Sequence, residues 1–290
     1  MSKVGSIEAG GTKFILAVQD VESGKEVARK RIPTTSAEET LNRCVDFFKD
    51  NPIDALAIAT FGPVDVNKNS DTYGQILDTP KPGWSGADMK GVMERGLDVP
   101  VFVTTDVNGS CYGEYVARGR HDDKTYLYVT VGTGVGGGII HGGKFVGLSA
   151  HPEMGHMKIV RYPGDDYKGF CPFHGGDCVE GMAAGPSLEG RTGIRGENLD
   201  RNNKAFTYVQ YYIAQMLFAV YMTVRPDVMI VGGSVLNEGD LVHVREFFKK
   251  FNNGYVKTPA LDQLIVRPAV AHNGSATLGD FELAKGLLKK

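Results

Sequence analysis

Two stretches of the chain concentrate glycine where a backbone can grip an anion. They are Glu8-Ala9-Gly10-Gly11-Thr12-Lys13 and Gly132-Thr133-Gly134-Val135-Gly136-Gly137-Gly138, and each follows an apolar run. Consecutive amides in such a turn form a concave, partly positive surface that binds phosphate oxygens without a charged side chain. The first turn adds the Thr12 hydroxyl, the Lys13 ammonium and the Glu8 carboxylate, a set that can hold a hydrated magnesium ion; the second adds Thr133. Either turn alone reads equally well as a tight hairpin, because glycine is common at turns. As a pair opening two similar halves they favour phosphate binding. Neither has the glycine spacing and following helix of a P-loop or a dinucleotide fingerprint.

Between the turns lies Val103-Thr104-Thr105-Asp106-Val107-Asn108, a carboxylate just past an apolar strand and at the start of a helix expected over Val107 to Ala117. The carboxyl edge of a strand is where open α/β sheets place ligand-contacting groups. By position alone Asp106 reads as a helix N-cap. Beside two phosphate turns it reads as the base that accepts a hydroxyl proton during phosphoryl transfer.

A third group is His156, Cys171, His174 and Cys178. Two thiolates and two imidazoles satisfy the four-coordinate requirement of a structural zinc ion, and the close spacing lets one short loop wrap it. The competing reading is free cysteines with incidental histidines; a redox pair is disfavoured because no Cys-x-x-Cys occurs. Glu153 and Glu180 flank this loop, either as acceptors for sugar hydroxyls or as solvated acids. A further sugar surface is offered by Thr60-Phe61-Gly62-Pro63 and by Thr79-Pro80-Lys81-Pro82-Gly83-Trp84, where Trp84 either walls a sugar or packs in the core.

These groups need elements to hold them. Strands are expected over Val4 to Ile7 and Phe14 to Val18, joined by Gly10 to Lys13, whose glycines permit the positive φ of a tight hairpin. A strand at Glu26 to Ile32 precedes a helix begun by a Ser36/Glu39 capping box, with Leu41, Cys44, Val45 and Phe48 on its buried face. Ala55 to Ala59 and Val101 to Thr104 read as buried strands, implying a parallel sheet with helices. The order recurs with a strand Tyr126 to Val131, the glycine run 132 to 138, and a strand resuming at Ile139-Ile140. An apolar helix Tyr208 to Val224, a strand Val228 to Val231 ending at Gly232-Gly233, and a closing helix Thr277 to Leu288 follow. The expected organisation is an N-terminal lobe 1–118, a C-terminal lobe 119–276 and a segment 277–290 packing back on the first lobe.

The chain has 290 residues, 42% of them hydrophobic, enough to bury the cores of two lobes. With 32 basic and 34 acidic residues it has no global positive field for nucleic acid or anionic lipid, which favours a small or neutral partner. No apolar run is long enough to span a bilayer, and Met1 to Glu8 lead directly into a strand, so a cytoplasmic protein is expected. Four cysteines do not suggest a disulfide framework.

Taken together, Gly10 to Lys13, Asp106 with Asn108, Gly132 to Gly136, Glu153-Met154-Gly155-His156 and the Cys171 to Glu180 loop resemble the ROK family (repressors, open reading frames and kinases), and within it the bacterial zinc-containing fructokinases. The resemblance covers essentially the whole chain. It implies an α/β, two-lobed actin-like ATPase fold with a small zinc-binding loop insertion. It also implies ATP with Mg2+ as phosphoryl donor, Asp106 as general base, Asn108, Glu153, His156 and Glu180 near the sugar, Gly232-Gly233 near the adenosine, and a homodimer. The family turn commonly carries aspartate where this chain has Glu8, and the zinc loop commonly begins Cys-x-Cys where Phe173 and His174 follow here. The stretch Pro80 to Trp84 resembles fructokinases, which makes D-fructose the expected substrate, ahead of glucose, mannose or N-acetylmannosamine. A sugar-sensing repressor is the reading from another class. It would need an added N-terminal DNA-binding region, for which the first turn at Gly10 leaves no room.

Overall fold

A computed structural model describes residues 2–288; Met1, Lys289 and Lys290, at the outer ends of the expected first and last segments, lie outside the described residues. The chain divides into two compact units, one comprising Met1–Arg120, Phe145–His151 and Val270–Lys290, the other His121–Lys144 and Pro152–Ala269.

The first unit is built on a five-stranded mixed sheet in the order β3-β2-β1-β4-β5. Its strands are β1 (Lys3–Ala9), β2 (Lys13–Asp20), β3 (Glu26–Pro33), β4 (Ala55–Thr60) and β5 (Val101–Thr105). The β1–β2–β3 meander is antiparallel, while β1, β4 and β5 run parallel. Alternation along β4 sorts its two faces. Leu56 and Ile58 join a large core with Leu41, Cys44 and Phe48 of helix α1 (Ala37–Asp50) and Met89 and Met93 of α2 (Met89–Leu97). Ala55 and Ala57 face the other way and pack with Phe281 and Ala284. Ser36 caps α1 by accepting from the Glu39 amide at 3.3 Å. The expected reciprocal half is replaced: the Glu39 carboxylate turns to Thr35 Oγ1 and Arg43 instead.

On the alanine face lies α3 (Asp106–Ala117), packed against the closing helix α9 (Ser275–Leu288). Glycine permits this approach. A Cβ on Gly113 would stand 1.9 Å from the Ser275 carbonyl oxygen, and one on Gly279 2.0 Å from that of Gly109. Fully buried Glu114 ties the pair, accepting from Ser275 Oγ at 2.8 Å, the Val270 amide at 3.1 Å and Arg118 Nε at 3.2 Å. A buried carboxylate is tolerated when its oxygens are met this way.

The second unit contains β6 (Thr125–Val131), β7 (Val135–His141), α4 (Val179–Ala183), α5 (Gly185–Thr192), α6 (Lys204–Val224), β9 (Val228–Gly232), α7 (Glu238–Asn252), α8 (Leu261–Leu264) and β10 (Ile265–Val266). With the short β8 (Lys144–Phe145), its strands form a sheet in the order β10-β9-β6-β7-β8. Strand β7 begins earlier than expected. Gly136, Gly137 and Gly138 pair with Thr130, Val129 and Tyr128, so the turn is only Gly132-Thr133-Gly134. Tertiary packing explains the difference, since a Cβ on Gly137 would meet the Met154 sulfur at 2.3 Å. Among the described residues, no helix is long and apolar enough to cross a membrane.

Candidate active site and metal cluster

Parallel register brings the first unit's candidate residues to one sheet edge. Ala9 at the end of β1 pairs with Thr60 at the end of β4, and Thr60 with Thr105 at the end of β5. The first glycine turn, the loop carrying Gly62 and Pro63, and Asp106 therefore emerge side by side. Thr105, not Asp106, is the N-cap of α3, its Oγ1 accepting from the Asn108 amide at 3.2 Å. Asp106 is the first helical residue and accepts from the Val107 amide at 2.8 Å. Asn108 is buried, with its amide nitrogen on Thr104 Oγ1 at 3.1 Å and Oδ1 without a hydrogen-bond partner. It lies behind the strand end, away from solvent.

Gly10 and Gly11 do not take the positive φ expected of them. The hairpin closes through a 2.9 Å bond from the Gly10 amide to the Lys13 carbonyl, which a Cβ on Gly10 would crowd at 2.9 Å. Here glycine supplies room rather than a left-handed turn. Gly11, Thr12 and Lys13 are exposed. Glu8, one turn of the pleat earlier, is raised to about 7, chiefly by burial and then by the charge of Asp106, while Lys13 and Arg29 pull it down. The Asn273 amide donates to its Oε1 at 3.4 Å. Asp280, fully buried and accepting from Ser6 Oγ at 2.9 Å, is also pushed well up by burial.

Trp84 packs in the core. It is fully buried, with its ring centroid 5.6 Å from that of Phe14 and 5.2 Å from that of Phe61, and its Nε1 donating to the Thr35 carbonyl at 3.0 Å. Of its two expected uses, a sugar-stacking face is not presented. His151 was not legible in the sequence. Its Nε2 accepts from the Val64 amide at 3.5 Å and its ring lies 3.5 Å from where a Gly62 Cβ would sit. An isolated histidine in a loop carries no spacing signal that would have found it.

The second unit assembles the remaining candidates. The Gly132 amide donates to the Gly134 carbonyl at 2.9 Å, and the Gly132 carbonyl accepts from the Gly185 amide at 2.7 Å. Thr133 is exposed. Gly232 and Gly233 lie against the strand end that feeds this turn. A Cβ on Gly233, whose φ is +83°, would stand 2.2 Å from the Val131 carbonyl oxygen, and one on Gly232 2.1 Å from the Tyr128 hydroxyl. Glu153-Met154-Gly155-His156 packs against β7, where a Gly155 Cβ would meet the Val135 carbonyl oxygen at 1.8 Å. Glu153 is exposed, while His156 and Glu180 are partly buried.

His156, Cys171, His174 and Cys178 come together, with one ligand atom from each lying within 4.8 Å of the others. Cys171 Sγ is 3.8 Å from His156 Nδ1 and 3.7 Å from His174 Nδ1, and Cys178 Sγ is 4.0 Å from His156 Nδ1. A tetrahedral zinc ion with its usual bond lengths would give sulfur-to-nitrogen edges of about 3.6 Å. The donor set and spacing therefore fit such an ion. Burial, with Cys171 and Glu180 adding, pushes the Cys178 thiol up to about 11, so a cation is what would make it a thiolate. Cys178 also N-caps α4, its Sγ accepting from the Gly181 amide at 3.4 Å.

The ROK family model matches residues 4–286. The chain belongs to the ROK family, with the α/β fold of its sugar kinases. It is 47% identical over 292 residues to a fructokinase of Streptococcus mutans, covering 98% of both chains. It is 43% identical to a fructokinase of Lactococcus lactis subsp. cremoris, covering 99% of this chain and 98% of that one. Among solved structures, the ROK hexokinase of Thermus thermophilus superposes with a TM-score of 0.78 at 23% identity, covering 99% of each chain.

Proposed function

We propose that this protein is an ATP-dependent fructokinase, forming ADP and fructose 6-phosphate. Identity of 47% and 43% to fructokinases, extending over nearly the full length of each, is the observation that carries this reading. Asp106 accepts the proton of the attacking sugar hydroxyl as that oxygen bonds to the γ-phosphorus and the bond to the β–γ bridging oxygen breaks. Most of the remaining work in phosphoryl transfer is alignment and charge neutralisation. Gly10, Gly11, Thr12 and Lys13 serve the phosphates, as do Gly132, Thr133, Gly134 and Gly136, with Gly232-Gly233 at the adenosine. Glu153, His156 and Glu180 hold the sugar, together with the Gly62-Pro63 loop.

Glu8 would hold magnesium through water, and His156, Cys171, His174 and Cys178 would hold a structural zinc ion. Magnesium bound with ATP supplies charge neutralisation on the phosphates. In this reading 1–118 with 277–290 and 119–276 are the working lobes, the protein is a homodimer, and it acts in the cytoplasm, where ATP is available. A coupled ATP-consumption assay across fructose, glucose, mannose and N-acetylmannosamine tests it. The highest kcat/KM should belong to fructose; a higher value for another hexose would reassign the substrate, and no ATP consumption with any would remove the kinase reading.

A further inference from the structure

The segment Thr79 to Trp84, read from sequence as a sugar surface, makes its hydrogen bonds elsewhere. Trp84 anchors it in the core and donates from Nε1 to the Thr35 carbonyl. The Lys81 amide donates to Thr79 Oγ1 at 3.3 Å and the Trp84 amide to the Lys81 carbonyl at 3.3 Å, a tight turn stiffened by Pro80 and Pro82. From it the Lys81 ammonium passes 6.0 Å from the Phe61 ring centroid and donates to the carbonyl of Gly11.

That contact completes a pattern. Thr34 Oγ1 donates to the Gly10 carbonyl at 2.8 Å, and the Thr34 amide to the Thr12 carbonyl at 3.1 Å. Three successive carbonyls of the first glycine turn are thus held from the protein side. In a trans peptide the N–H points opposite to the C=O of the same unit. Holding the Gly10 and Gly11 carbonyls inward therefore turns the amides of Gly11 and Thr12 outward. Among the described residues no acceptor meets either amide. The Gly11–Thr12 peptide depends on Lys81 for this, since glycine on its N-terminal side leaves the peptide free to rotate.

We propose that Lys81 is a positioning residue for phosphoryl transfer: it orients the Gly11–Thr12 peptide so that the Thr12 amide faces the ATP phosphates. The loop that carries it then serves the nucleotide. This rests on the kinase reading above. Loss of the ammonium releases the Gly11 carbonyl and forfeits one amide bond to a charged phosphate, an effect on the order of 10- to 100-fold.

The test compares wild type, Lys81→Met and Lys81→Arg by steady-state kinetics, melting temperature and calorimetric titration with MgADP. Wild-type turnover with fructose reads the kinase function, and the variant-to-wild-type ratios read the role of Lys81, so the two fail separately. In Lys81→Met, kcat/KM for ATP should fall about 10- to 100-fold, with KM for fructose within about twofold and the melting temperature unchanged. Lys81→Arg, which can still donate to the carbonyl, should recover most of the loss. Unchanged ATP parameters, or a loss confined to KM for fructose, would overturn the proposal. If Lys81→Met is unstable, Lys81→Arg decides: nucleotide affinity near wild type supports the role, and a loss as large as that of methionine removes it.

Discussion

Glu180 accepts a hydrogen bond from the Val135 amide at 3.1 Å through Oε2, while its Oε1 stands 3.9 Å from Nε2 of His156. One carboxylate joins the second glycine turn to an imidazole whose other nitrogen faces the thiols of Cys171 and Cys178. A ligand histidine commonly gives its second ring nitrogen to a carboxylate, which fixes its orientation and raises its basicity. Cys178 adds a second connection by capping α4, the short helix whose first turn carries Glu180. The Cys/His cluster is thereby mechanically linked to Val135, where β7 leaves the glycine turn. Gly155, beside His156, packs on the Val135 carbonyl and gives the cluster a further connection to the same turn.

That link makes the effect of metal removal specific. Purified protein should contain about one zinc ion per chain. Chelation should lower the melting temperature and raise KM for ATP together, because α4, Glu180 and Val135 loosen as one body. Glu180→Gln should weaken zinc retention about 10- to 100-fold in a chelator competition. Zinc content of zero in a stable, fully active preparation would refute the assignment of the cluster. Retention unchanged in Glu180→Gln would break the proposed link while leaving the cluster intact.

Which parts of this were legible in the sequence follows from what each residue depends on. The proximity of His156, Cys171, His174 and Cys178 was visible because short loop spacing nearly dictates it. The three parallel strands were visible as apolar runs expected to stop at Ile7, Ala59 and Thr104, and each runs one or two residues further, to Ala9, Thr60 and Thr105. The turn 132–138 was misjudged because glycine has two uses: Gly137 is needed for the Met154 side chain, a partner distant in sequence. Asp106 resembled an N-cap until Thr105 was seen to fill that place. Trp84 left two readings open because indole suits a core and a binding face alike. Lys81, His151 and the two-sided placement of His156 depend on contacts between loops, for which sequence has no period.

For Asp106 the expectation is a loss of chemistry with binding preserved. Asp106→Ala should reduce kcat by about 100- to 10,000-fold, the usual contribution of a positioned general base. Sugar affinity, measured by calorimetry, should stay within a few-fold, and the melting temperature should change little because Thr105 remains the N-cap of α3. Turnover near wild type in a folded Asp106→Ala protein would show that another group takes the proton.

Glu8 gives a pH signature of opposite sign to that of an ordinary paired carboxylate. Its pKa in the folded protein is raised from 4.5 to about 7, so the folded chain binds the proton more tightly than the unfolded chain. Its contribution to stability is full below about pH 4.5 and is lost as pH rises through about 7. Glu8→Gln, which stays neutral, should therefore be more stable than wild type at pH 8 and indistinguishable from it near pH 4. The difference should be at most about 3 kcal/mol, from the size of the shift and reduced by partial solvent access. Melting curves without nucleotide or magnesium measure it; a Glu8→Gln protein less stable than wild type at pH 8 would contradict the sign.

The α3–α9 packing predicts how a remote substitution reaches Asp106. Gly113 and Gly109 sit one turn apart on α3, and α9 approaches both: Gly113 faces the Ser275 carbonyl, and the Gly109 carbonyl faces Gly279. A methyl group on Gly113 would lie 1.9 Å from the Ser275 carbonyl oxygen, so one helix must move by more than an ångström to admit it. Backbone cannot yield as a side-chain tip would, and overpacking of this kind typically costs about 1–3 kcal/mol. Because Asp106 begins the displaced helix, a shift along α3 also moves the carboxylate relative to Ala9 and Thr60. Gly113→Ala should consequently lower both the melting temperature and kcat, the latter without a matching rise in KM for ATP. Gly286→Ala makes the control: the same change falls on α9 where a Cβ would meet nothing, and neither quantity should fall. If Gly113→Ala destabilised the protein yet kept wild-type kcat, the helix pair would matter for folding but not for placing the base.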